Sequence, residues 1–114
     1  MSNLDDATRL RHMRDAAIEA RGFIENRTRT DLDSDRMLAL ALVKDVEIIG
    51  EAASRISATC KAKYPQIPWV EMVGMRNRLT HAYFEIDLEI VWQVVTNDLP
   101  SLLTELETII TLET

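Results

Sequence analysis

One cysteine, Cys60, stands in 114 residues. An internal disulfide is excluded, and a lone thiol fits a reducing compartment. Glycine and proline are scarce, three of each, so few positions are equipped to interrupt a helix. No apolar run approaches the roughly 20 residues a membrane span needs, and the N-terminal stretch lacks the apolar region of a secretory signal. The expected setting is cytoplasmic, with no membrane partner. Basic residues are missing from the last third. Residues 83–114 hold seven acids (Glu85, Asp87, Glu89, Asp98, Glu105, Glu107 and Glu113) and neither Lys nor Arg. The overall charge of −6 therefore conceals a tail of −7 and a remainder of +1. An anion site is compatible with residues 1–82, because net charge governs long-range steering and not local binding.

What is present favours helices. Hydrophobic residues make up 46% of the chain, enough for an ordinary core, and 114 residues fit a single domain spanning 1–114. Leu4, Leu10, Met13, Ala17, Ile18, Phe23 and Ile24 recur near helical spacing and predict a first amphipathic helix over about 3–25. Asn26 to Asp33 reads as a turn, with Asp33 or Ser34 capping a second helix over about 35–61. Its apolar band, from Met37 to Cys60, is wide enough for two partners: two helices of its own bundle, or one helix and a second subunit. Gly50 lies inside it, at a cost of roughly 1 kcal/mol against alanine, which close helix approach would explain. Tyr64-Pro65-Gln66-Ile67-Pro68 breaks the chain, and Pro68 suits the first turn of a third helix. Asp87 predicts a cap for a fourth helix. Pro100 predicts a kink or break near 97–100 before a last one. The expected fold class is all-α, a bundle of four to five helices.

Chemistry concentrates in residues 74–84, where Arg76, Asn77, His81 and Tyr83 fall within eight positions. A guanidinium binds anions and an imidazole moves protons near neutral pH. On an ideal helix, at about 100° per residue, Arg76 and His81 lie about 140° apart. They converge only if Arg76 reaches round, if the helix breaks between them, or if a second copy closes the site across a two-fold axis. Convergence would suit metal-free cleavage of RNA, whose 2′-hydroxyl is its own nucleophile. His81 would transfer the proton and Arg76 would stabilise the charge growing on phosphate. Asn77 would orient the phosphate or the hydroxyl, and Tyr83 would stack on a base or bond a phosphate.

Other polar groups read as structural. His12 has no second histidine or cysteine at ligand spacing and reads as a solvated residue. Glu47 and Glu51 sit one turn apart but lack the Glu-x-x-His partner of di-metal helices, so no metal or cofactor is expected. Arg9, Arg11, Arg14, Arg21, Arg27 and Arg29 alternate with acids and read as a solvated face more than a phosphate track. Trp69 and Trp92 read as core.

Several segments in order carry a family resemblance: Glu47-Ile48-Ile49-Gly50-Glu51-Ala52-Ala53, Tyr64-Pro65-Gln66-Ile67-Pro68-Trp69, and residues 74–84. Asp87-Leu88-Glu89-Ile90-Val91-Trp92 and Asn97-Asp98-Leu99-Pro100 complete the set. Through them the chain resembles the HepT-like branch of the HEPN ribonucleases, the toxin half of a toxin–antitoxin pair. The resemblance implies a HEPN-like helical bundle that forms a two-fold homodimer, with the RNA-cleaving site at the dimer interface. It implies that Arg76 and His81 are the catalytic pair and that Asn77 is the supporting polar residue. It also implies metal-independent cleavage of RNA (tRNA or mRNA) leaving a cyclic phosphate. The implied partner is a minimal, MntA-like nucleotidyltransferase that silences the toxin by AMPylation of Tyr83. Many relatives carry an acid where this chain has Ala82, which bears on how Tyr83 meets the modifier. The alternative reading is a non-catalytic helical subunit that binds or regulates a nucleotidyltransferase.

Overall fold

The computed structural model describes residues 5–81 and 85–113, and of His81 the backbone alone. Helix α1 spans Asp6–Phe23, with the Asp5 carboxylate accepting from the Thr8 N–H at 2.7 Å. Asn26, at φ 62°, lies just past its end; asparagine tolerates this left-handed conformation better than most residues. The buried stripe is Leu10, Met13, Ala16, Ala17 and Ala20, whereas Ile18 and Phe23 are exposed. The expected turn contains a single helical turn, α2 (Asp31–Ser34).

Helix α3, Arg36–Ser54, is capped by Asp35, one or two residues later than predicted, through the Leu38 N–H at 3.0 Å. It forms the centre of the bundle, with α1 on one side and α5 (Trp69–Leu79) on another. At Gly50 the backbones of α3 and α5 come close together. A Cβ there would stand 3.0 Å from the Met72 carbonyl oxygen and 3.5 Å from that of Val73.

The predicted second helix does not continue to 61. It stops at Ser54, and α4 (Ala58–Lys63) begins afresh behind a Ser57 cap. Groups on α1 hold the break open. The Asp6 carboxylate accepts from the Ser57 N–H at 2.9 Å and its hydroxyl at 2.5 Å, and Arg9 Nη1 donates to the Arg55 carbonyl at 2.8 Å. Backbone groups lost to the helix ladder thus find side-chain partners from across the bundle.

Pro68 is the cap of α5 and not its first residue, and its carbonyl accepts from the Met72 N–H at 3.0 Å. Trp69 is buried and donates to the Tyr64 carbonyl at 3.0 Å. Trp92 packs half-buried against the core. After α5, a short antiparallel pair, β1 (Thr80–His81) and β2 (Glu85–Ile86), registers Thr80 with Ile86 and His81 with Glu85. Asp87 caps α6 (Leu88–Gln93) as predicted, accepting from Ile90 N–H at 3.1 Å.

Near Pro100 the expected interruption takes the form of a widened turn. A π-helical turn, Val94–Asp98, joins α6 directly to α7 (Leu99–Glu113). The Leu99 N–H reaches back to the Val94 carbonyl. The Val95 carbonyl, deprived of its α-helical donor and unable to take one from proline, accepts from Arg21 Nη1 at 3.3 Å. Tyr64 donates to the Glu113 carboxylate, and Lys63 Nζ pairs with it at 2.9 Å, fixing the end of α7. The class is all-α as expected. Among the described residues it comprises seven α-helical segments, several only one or two turns long, against the four to five expected. None is long and apolar enough to cross a membrane.

Candidate functional site

Helix α5 ends between Arg76 and His81. Thr80 is already extended (φ −128°, ψ 142°), and the Asp87 N–H bonds the Leu79 carbonyl at 2.6 Å, drawing the chain into the strand pair. Buried Leu79 anchors that exit. The 140° separation of a continuous helix therefore does not apply, and helical stacking of Asn77 on His81 is likewise lost. Arg76 and Asn77 occupy the last turn of α5, both exposed, and His81 lies on β1. The imidazole of His81 and all of Tyr83 lie outside the described residues.

Arg76 has a partner that sequence spacing did not offer. Its Nε lies 3.5 Å from Glu47 Oε2 on α3, with both side chains partly exposed. The contact engages the Nε edge of the guanidinium and leaves the two terminal nitrogens for an anion. Glu51, one turn on, pairs with Arg55 at 2.9 Å. The two carboxylates first considered as a metal pair are each committed to an arginine.

Arg76 also lines an open cleft of about 470 Å³ that crosses α3 to reach α1. Glu47, Gly50, Lys44, Arg9 and His12 line it too. None of its lining residues comes from the acidic stretch 83–114. His12, read as a solvated residue, is exposed but shares this cleft with Arg76. No local pattern could have linked residues so far apart in the chain. The other arginines of α1 and of the segment after it are engaged within the chain: Arg14 pairs with Asp15, Arg27 with Asp35, and Arg29 with both Asp33 and Glu89. Arg11 donates to Thr8, and Arg21 to Val95 as above.

A second, smaller hollow adjoins the cleft, sharing His12 and Ile48 with it. On its wall Asp45 is 1% exposed, and its Oδ2 has no hydrogen-bond partner. Burial pushes this carboxyl up to about 7, and the neighbouring Glu19 carboxylate pushes it the same way. Among the described residues no group of His, Cys, Asp and Glu is arranged to hold a metal ion.

Comparison with known proteins follows this geometry. Residues 13–109 match the family described as "Ribonuclease HepT-like". A Methanocaldococcus jannaschii protein carrying an RNase name is 35% identical over 107 residues, covering 94% of this chain and 98% of the relative. A Thermococcus cleftensis protein named as ribonuclease HepT is 42% identical over 88 residues, 74% of this chain and 80% of that one. No solved structure gives a significant match.

Proposed function

This chain belongs to the HepT-like family as a ribonuclease, and we propose that it is a toxin that cuts cellular RNA without metal, using Arg76 and His81. The observation that carries the proposal is the end of α5 at Leu79. Arg76 is left on the helix beside a cleft, while the chain turns sharply before His81. The 2′-hydroxyl gives its proton to the His81 imidazole and attacks the adjacent phosphorus. The new P–O2′ bond forms as the P–O5′ bond breaks, the departing oxygen takes up a proton, and a cyclic phosphate remains. The two terminal nitrogens of Arg76 hold the non-bridging oxygens, and Asn77 orients the phosphate or the hydroxyl.

A two-fold homodimer would complete this site. Met37 and Leu40 on α3, and Val70 and Val73 on α5, are apolar yet exposed, Met37 and Val70 by about four-fifths. Met37, Leu40, Lys44 and Glu47 recur every three or four residues on α3, and Val70, Val73 and Arg76 every three on α5. The exposed apolar residues thus share stripes with the Glu47–Arg76 pair, a pattern suited to a second copy of this chain. A cognate nucleotidyltransferase would silence the enzyme by transferring AMP to Tyr83.

The test is cleavage of RNA by purified protein in EDTA. Arg76→Ala should cost on the order of 10²–10³ in rate, and His81→Ala on the order of 10²–10⁴. Cleavage that survives both substitutions would refute the assignment of the site, and a wild type that cuts nothing would favour a non-catalytic subunit. Co-expression with the nucleotidyltransferase should add AMP to wild type and not to Tyr83→Phe. Equal labelling of both would remove Tyr83 from the account.

A further inference from the structure

Two cations in the cleft have no counter-charge. Lys44 is exposed on the wall that carries Glu47, and among the described residues no carboxylate lies within ion-pair distance of it or of Arg9. Arg9 is held in place by donating through Nη1 to the Arg55 carbonyl at 2.8 Å. Its Nε is shielded from solvent and has no acceptor. The Arg9 charge is therefore not neutralised by any described carboxylate, although Arg9 lines a cleft open to solvent. Elsewhere on α1 and in the segment after it, Arg14, Arg27 and Arg29 are paired with carboxylates, Arg11 donates to the Thr8 hydroxyl and Arg21 to a backbone carbonyl.

Resting on the ribonuclease reading of Arg76, we infer that this cleft is a phosphate track for single-stranded RNA. The backbone flanking the cut bond runs from Arg76 over Lys44 to Arg9. Arg76 serves the reacting phosphate, and Lys44 and Arg9 bind its neighbours in the chain. His12, at the α1 end of the same cleft, is positioned to donate to a phosphate oxygen or the sugar. The acidic residues of 83–114 line none of this surface, and its own acids, Glu47 and Glu51, are each paired with an arginine, which lowers the repulsion a polyanion meets along it. Lys44 and Arg9 touch no reacting atom in this scheme. They are binding residues, and their removal raises KM more than it lowers kcat.

The experiment uses the full chain and two probes, a single-stranded RNA that is cut and a 2′-O-methyl RNA of the same sequence that cannot be. Affinity for the second is measured from 50 to 200 mM salt. Each phosphate contact to a single strand contributes about 0.7 to the slope of log K against log salt. Over that fourfold range wild type should lose about 2.6-fold more affinity than Lys44→Ala. Arg9→Lys keeps the charge but lacks the fork, and should weaken binding while largely keeping the slope. Lys61→Ala, outside the cleft, should match wild type in both. An unchanged slope in Lys44→Ala, with wild type still cutting RNA, overturns the track and leaves the ribonuclease reading intact. Lys44-dependent binding by a wild type that cuts nothing supports the track and overturns the ribonuclease reading.

Discussion

Gly50→Ala tests how closely α3 and α5 are packed. The new Cβ would meet the Met72 carbonyl oxygen at 3.0 Å and the Val73 carbonyl at 3.5 Å. Ordinary contact begins near 3.4 Å, so the helices must separate by about 0.4 Å at this point. Both obstacles are backbone atoms, which cannot rotate aside as a side-chain tip would. Overpacking of this kind costs about 1–3 kcal/mol, and the better helix propensity of alanine returns up to about 1 kcal/mol. The expected net is a loss of about 1 kcal/mol, or roughly 4–8 °C in Tm for a chain near this size. Gly74 on α5 is the internal control, since a Cβ there meets nothing within 4 Å. Gly74→Ala should keep the propensity gain and raise Tm. Thermal unfolding followed by circular dichroism reads both. Because Glu47 and Arg76 lie about one turn from the contact, Gly50→Ala should also slow RNA cleavage measured under single-turnover conditions. A Gly50→Ala protein as stabilised as Gly74→Ala would refute the close-packing argument.

Three further outcomes follow from named contacts. Asp45 is protonated in the folded chain up to about pH 7 but only to about 3.8 when unfolded, so the native state holds the extra proton between those values. Stability therefore falls as pH rises from about 4 to 7, by an amount on the order of a few kcal/mol. Asp45→Asn should flatten that fall in urea titrations across the range, and an unchanged pH profile would show that Asp45 is not the group responsible. Removing the Asp6 carboxylate frees the N–H and hydroxyl of Ser57; Asp6→Ala should cost about 1–2 kcal/mol and speed hydrogen exchange at the start of α4. Glu47→Ala should lower kcat by leaving Arg76 unsteered, yet add nothing in an Arg76→Ala background; a further loss there would mean that Glu47 acts on its own.

The chain's sequence by itself determined the helical class, the cap at Asp87 and most of the core-facing stripes. Each of these depends on residues within a turn or two of one another: a side-chain oxygen reaching an N–H three positions on, or apolar groups recurring on one face. It also determined the cluster from Arg76 to Tyr83 and the family to which that cluster belongs. Tertiary structure decided the rest, because the deciding partners are remote in the chain. Ser57 is a cap candidate that a continuous helical pattern masks, and Asp6 and Arg9 hold the break from another helix. Pro100 predicted a kink or break from its missing N–H; the α-helical ladder is interrupted there, and tertiary structure decided how, by widening one turn and supplying Arg21 to the orphaned Val95 carbonyl. Glu47 resembled half of a carboxylate pair until α5 brought Arg76 against it. His12 and Arg9 read as surface residues of an amphipathic helix. Only the packing of α1 beside α3, with α5 on another side, sets them in one cleft with Arg76, since local periodicity specifies which face a residue occupies and not what that face will meet.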